Sequence, residues 1–189
     1  MIMKRARLFC IIFTLMLYSC GGEVIPKPEG KLRLDYPVPE YKEVSFPCHY
    51  TFEKNEYSEL EKARVNKKCW YNLDYKKWKA TLYISYFEVD NNLDSLLRDA
   101  QNLTHEHVIK ADGILQEPYV DAKNKVYGMF YEVSGDAASQ SQFYVTDSVN
   151  HFIVGSLYFK VKPNYDSILP AANYLRNDMK HIMETIRWK

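Results

Sequence analysis

The chain has 189 residues with 25 basic and 24 acidic side chains; 47% of it is apolar and 15% aromatic, with sixteen tyrosines. This composition excludes a disordered polymer, and a net charge of +1 excludes a strongly basic nucleic-acid binder. Seven glycines, none spaced to cradle a phosphate, argue against a nucleotide site.

Residues 1–19 read as a lipoprotein signal peptide. Lys4, Arg5 and Arg7 precede the apolar run "LFCIIFTLML", and no acidic residue occurs before it ends. A basic n-region followed by a short apolar stretch is the layout of a secretory signal, and the run falls short of the roughly 20 residues a membrane span needs. It closes on "LYSC", which resembles a bacterial lipobox. The expectation is cleavage before Cys20 and acylation of its thiol, so that the chain is anchored to a membrane rather than spanning it. The remainder carries 22 basic against 24 acidic residues and is the size of one domain.

Residues 20–44 read as a lipidated, Pro-rich tether. Pro26, Pro28, Pro37 and Pro39 exclude a helix and favour extended backbone. Leu32, Leu34 and Tyr36 alternate, so the second half is a candidate edge strand. Residues 45–189 read as a single α+β domain. "CHYTFEK" and "KCWYNLDY" predict strands, separated by a polar helical or loop insert at "YSELEKARVN". Between them Cys48 and Cys69 form an even pair in an exported chain, and a disulfide joining them is expected. "KATLYISYFEV" alternates, with Ala80, Leu82, Ile84 and Tyr86 on one face and Thr81, Tyr83, Ser85 and Phe87 on the other. Asn91 or Asn92 caps a helix whose apolar face runs from Leu93 through Leu103 to His107.

Strands follow at "GILQEPYV" and "KVYGMFYEV", then a hairpin of "SQFYVT" and "HFIVGSLYFKV" around "DSVN", with Ile153, Gly155, Leu157, Phe159 and Val161 facing the core. A last helix, capped by Asp166 or Ser167 with Pro170 in its first turn, shows an apolar stripe from Ile168 through Leu175 and Met179 to Ile186. Strands joined by short links predict an antiparallel β-sheet, covered by two main helices.

Chemistry-bearing patterns are sparse. His105 and His107 are two apart and point different ways on a helix, while His49, His151 and His181 are scattered. With only two further cysteines, no metal and no cofactor is expected. Ser134, Ser139 and Ser141 would be nucleophiles only with a base and oxyanion donors, and no G-x-S-x-G elbow is present. Trp70, Trp78 and Trp188 could line a ligand pocket for a glycan or peptide. "DSL", "DSV" and "DSI" resemble the D-S/T-aliphatic acceptor of the general O-glycosylation system of Bacteroidota, making Ser95, Ser148 and Ser167 candidate acceptors. Asp-Ser pairs also serve as turns and helix caps, which is where all three fall.

The blocks "PKPEGKLRLDYP", "CWYNLDY", "QFYVTDSVNHFIVGSLYF" and "METIRWK" resemble the gliding motility lipoproteins of the GldD family of Bacteroidota. The resemblance implies an envelope lipoprotein needed for gliding and linked to the type IX secretion machinery, with other gliding and secretion proteins as partners and no catalytic residues to carry over. It transfers only Cys20, as the lipidated residue. The order of elements also resembles a PsbP-like sandwich. Together these readings lead to a non-enzymatic, membrane-anchored protein, facing the periplasm from the outer membrane and acting by protein contact. A ligand-binding lipoprotein and a hydrolase are the alternatives.

Overall fold

The period-two pattern of the middle of the chain becomes a seven-stranded antiparallel sheet. In the computed structural model the described residues are 35–44, 46–65, 67–105, 111–161 and 164–189, and the folded unit runs from Asp35 to Lys189. Residues 1–19, expected to be a signal peptide, and Cys20 and His107 lie outside the described residues. The sheet strands are β4 (Glu59–Lys62), β5 (Tyr71–Tyr75), β6 (Ala80–Glu88), β7 (Ala111–Asp121), β8 (Val126–Gly135), β9 (Ser139–Thr146) and β10 (His151–Phe159), in the order β4-β5-β6-β10-β9-β8-β7. Two helices, α1 (Leu93–His105) and α2 (Tyr165–Thr185), cover it, and the class is α+β as the sequence predicts.

Alternation assigns the two faces. Leu82, Ile84, Ile153 and Leu157 are at most 2% exposed and pack under Leu175, Met179 and Ile182 of α2. Each such side chain contributes roughly 1.5–3 kcal/mol by leaving water. Gly155 sits in this face opposite Phe143, whose ring lies where a side chain on residue 155 would be. The other face carries Tyr83, Ser85, Phe87, Phe152 and Val154, over which α1 lies. The β9–β10 turn is set by Asp147, whose carboxylate accepts the backbone N–H of Val149, Asn150 and His151 at 2.8–3.0 Å.

Several local expectations are corrected. The polar insert contains a strand, because Leu60 pairs with Leu73 and turns toward the core while its charged neighbours face water at the sheet edge. "CHYTFEK" does not join the main sheet. It splits into β2 (Tyr50–Thr51), paired with a C-terminal β11 (Arg187–Trp188), and β3 (Glu53–Asn55), paired with β1 (Tyr41–Glu43). Tyr36 forms no strand; its ring stacks on Tyr174 at 5.1 Å and on Trp78 at 6.0 Å. Val161 is 39% exposed because the β10 pairing ends at Phe159. The α2 cap is Asn164, whose side chain accepts from the Ser167 N–H, so Pro170 falls inside the helix rather than in its first turn.

Cys48 and Cys69 are brought together with sulfurs 2.11 Å and Cα atoms 5.6 Å apart, the geometry of a disulfide. The buried Tyr50 hydroxyl donates to the Cys69 carbonyl at 2.9 Å, fixing the same corner.

Candidate functional site

A concavity with mainly apolar walls lies on the sheet face under α1. Its floor follows from register: Phe87 pairs with Phe152, Ser85 with Val154, and Tyr83 with Ser156. Small side chains at 85 and 156 therefore sit between bulkier ones, and the difference in height leaves a hollow of about 360 Å³. Leu96, Ala100 and Leu103 of α1 form its roof. Trp70 forms a wall, held by a hydrogen bond from its Nε1 to the Tyr86 carbonyl at 2.7 Å and by an edge contact with Phe87. Beyond Trp70, Tyr83 and Ser85 the surface continues into a second, polar basin containing Arg64, Asn72, Asp74 and Lys160. Burial raises the pKa of Asp74, but the ammonium of Lys160 at 2.6 Å and the Thr81 hydroxyl at 3.0 Å outweigh it and hold the carboxyl below its usual value.

A second polar cluster lies under α2. Asp178 is 1% exposed; its carboxylate accepts from Tyr41 Oη at 2.7 Å and from Asn55 Nδ2 at 2.8 Å. Burial pushes its pKa up, and those donors, with Tyr75, only partly offset the shift. The Tyr41 ring also stacks on His181 at 3.6 Å, and His181 Nε2 meets Glu53 at 2.8 Å. Together these contacts strap β1 and β3 to α2.

At the opposite edge, His151 stacks on Trp188 at 5.1 Å and His49 at 6.0 Å, and its Nδ1 shares a 2.8 Å hydrogen bond with Tyr86 Oη. Burial lowers the His151 pKa, the nearby Asp147 opposes this, and His49 adds to it. Burial likewise pushes Tyr86 up to about 12. A neutral imidazole and a neutral phenol form a structural pair at pH 7.

The structure scatters the candidate catalytic residues. Ser139 donates its hydroxyl to the Ser141 carbonyl at 3.2 Å, and Ser134 donates to Gly113 at 3.2 Å. His151 and His181 hold the partners just described, and the His105 side chain lies outside the described residues. Among the described residues no group of three or more His, Cys, Asp or Glu could hold a metal. The tryptophans also separate: Trp70 lines the hollow, Trp78 stacks with Tyr36 and meets Tyr174 at a tilt, and Trp188 sits near the C-terminus with its Nε1 on the Lys125 carbonyl at 2.9 Å. The hollow is the site that sequence reading missed. Its signal, serines at 85 and 156 amid aromatic residues, is meaningful only once the register is known. Ser95, Ser148 and Ser167 are all exposed, at a helix start, in a turn with φ of 68°, and beside a helix cap respectively.

A family model described as gliding motility lipoprotein GldD matches residues 21–188. No curated protein matches the chain. Among solved structures, cyanobacterial PsbP from Synechocystis sp. PCC 6803 is similar over 92% of this chain and 99% of its own. The identity is 9% and the TM-score 0.48, a likeness too distant to carry a functional inference.

Proposed function

The chain belongs to the gliding motility lipoprotein GldD family, and from that premise we propose that it is a non-enzymatic envelope component that acts through protein contacts. In this reading Cys20 carries the lipid, the anchor sits in the outer membrane facing the periplasm, and the partners belong to the gliding and type IX secretion machinery. The observation that supports contact over catalysis is the dispersal of the candidate nucleophiles and bases, with Ser139 and Ser134 bonded to backbone and His151 and His181 each held by a structural partner. A serine hydrolase needs those groups within hydrogen-bond reach of one another. Ser95, Ser148 and Ser167 are proposed O-glycan acceptors, supported by their exposure.

The test is a clean deletion in a gliding host, complemented by wild type and by a chain with alanine at His105, His107, Ser139 and Ser141. Restored surface movement and restored export of type IX cargo are expected from both. Loss of function in a variant that still folds and anchors would point to chemistry at one of those side chains. The alternative of ligand binding is favoured by one feature, the hollow beside Trp70.

A further inference from the structure

Among the described residues, the hollow under α1 pairs a mainly apolar interior with neighbouring cations that form no ion pair. Its lining is mainly apolar, and at about 360 Å³ it falls in the size range of small-molecule sites, about 300–1,000 Å³. The low points of the furrow are the small side chains at 85 and 156, which lie diagonally on two neighbouring strands between the Phe87–Phe152 pair and Tyr83. A single unbranched chain can follow that diagonal from one strand to the next.

The rim is set by the β4–β5 connection. Lys67 Nζ stands 4.7 Å from the Trp70 ring centroid and 6.0 Å from that of Phe87, two rings that line the hollow and also border the depression holding Lys67. Lys68 is beside it and Arg64 flanks the adjoining basin. Among the described residues none of these three cations forms an ion pair, whereas Lys160 is taken by Asp74. The acidic groups nearby are Glu61 in the basin, Glu88 beyond Phe87, and Asp99 on α1. Asp99 lines the hollow from α1, whereas the cations are carried by the β4–β5 connection, so the two elements bring opposite charge to the site. A ligand with an anionic end is turned by that field toward the β4–β5 side and away from the helix.

We propose that this hollow binds a single acyl chain with an anionic head, the hydrocarbon lying under α1 and the head meeting Lys67 and Arg64. The apolar walls remove the chain from water, and the cations give the head charge-assisted hydrogen bonds in place of solvent. A peptide is less well matched, because a buried peptide backbone needs hydrogen-bond partners at every residue, and the floor offers only scattered hydroxyls such as those of Ser85 and Ser156.

The experiment uses the full-length lipoprotein in zwitterionic nanodiscs and dodecanoate bearing a diazirine near its tail. After irradiation, labelled peptides are mapped by mass spectrometry. Labelling that saturates, is displaced by unlabelled dodecanoate, and falls within residues 83–87, 96–103 and 152–158 is expected. Ser85→Leu, which fills the furrow, should abolish it. Arg64→Glu with Lys67→Glu, both on the surface, should weaken dodecanoate by about tenfold or more while leaving its methyl ester unchanged. Labelling confined to other segments overturns the proposal. So does equal labelling by acid and ester, which would show mere hydrocarbon partitioning, or displacement by an apolar peptide but not by dodecanoate. If Ser85→Leu does not fold, the charge-reversed variant decides alone.

Discussion

Tyr41→Phe removes one hydroxyl and leaves the ring, so it isolates the hydrogen bond that ties β1 to α2. The wild-type bond spans 2.7 Å to a carboxylate that is 1% exposed. Its loss leaves Asp178 with the Asn55 amide at 2.8 Å and the nearby Tyr75 hydroxyl, and no replacement donor from solvent. Hydrogen bonds to charged groups contribute about 1.5–3 kcal/mol, and an unsatisfied buried acceptor sits at the upper end. For a unit of this size that is a drop of roughly 3–12 °C in Tm.

The cost must also depend on pH. Burial already raises the Asp178 pKa above its unfolded value, so the folded state binds the extra proton first. Stability therefore rises as the pH falls through the raised folded pKa toward the unfolded value near 3.8, and is lost in the other direction. Removing a donor that favours the charged form raises that pKa further, so the variant gains more on acidification and the two curves converge. Thermal unfolding by circular dichroism at about pH 7.5 and about pH 4.5 measures this, with Asp178→Asn to close a double-mutant cycle. An equal cost at both pH values, or no cost at either, would refute the assignment of a charged, buried Asp178.

Four further outcomes are expected. Cys48→Ser should cost about 3 kcal/mol, since the bridged residues are 21 apart in sequence, and unreduced exported protein should show no free thiol at either position. Gly155→Ala places a methyl group 2.2 Å from the Phe143 ring and should cost about 1–3 kcal/mol, part of which Phe143→Leu recovers; an unchanged Tm would contradict the packing. Cys20→Ala should release the protein from membranes and end palmitate incorporation, because stable anchoring requires more than one acyl chain. In a glycosylating host, intact-mass measurement of Ser95→Ala, Ser148→Ala and Ser167→Ala should show loss of a glycan from at least one; three unchanged masses would remove the acceptor reading.

The sequence was most informative where one chemical pattern had one structural solution. Alternation from Ala80 to Phe87 could only be a strand with one face in the core, and the stripe from Ile168 to Met183 only a helix lying on it. It was least informative where pairing partners are distant. The strand at 59–62 has one apolar residue, Leu60, and exists because β5 lies beside it. The two-residue strand at Arg187–Trp188 has no local signal at all; Tyr50 and Thr51 create it. The hollow shares this origin, since neither Ser85 nor Ser156 announces a cavity until the two strands are set in register.

The Cys48–Cys69 corner has a mechanical consequence. In a lipoprotein, tension from the anchor reaches the folded unit through residue 35. It first works against the contacts of the Tyr36 ring, and then against the Tyr41–Asp178 hydrogen bond and three residue pairs between β1 and β3. Once the chain is drawn straight to Cys48, the load no longer follows the backbone. It crosses to Cys69, two residues ahead of Tyr71, and enters the seven-stranded sheet through β5, bypassing everything between the cysteines. The unit can thus pay out 13 residues, about 45 Å, before the seven-stranded sheet bears force, the last of them drawing Val44 and Phe46 out of the core. Reduction would move that stop and let the pull run on into β2 and β3.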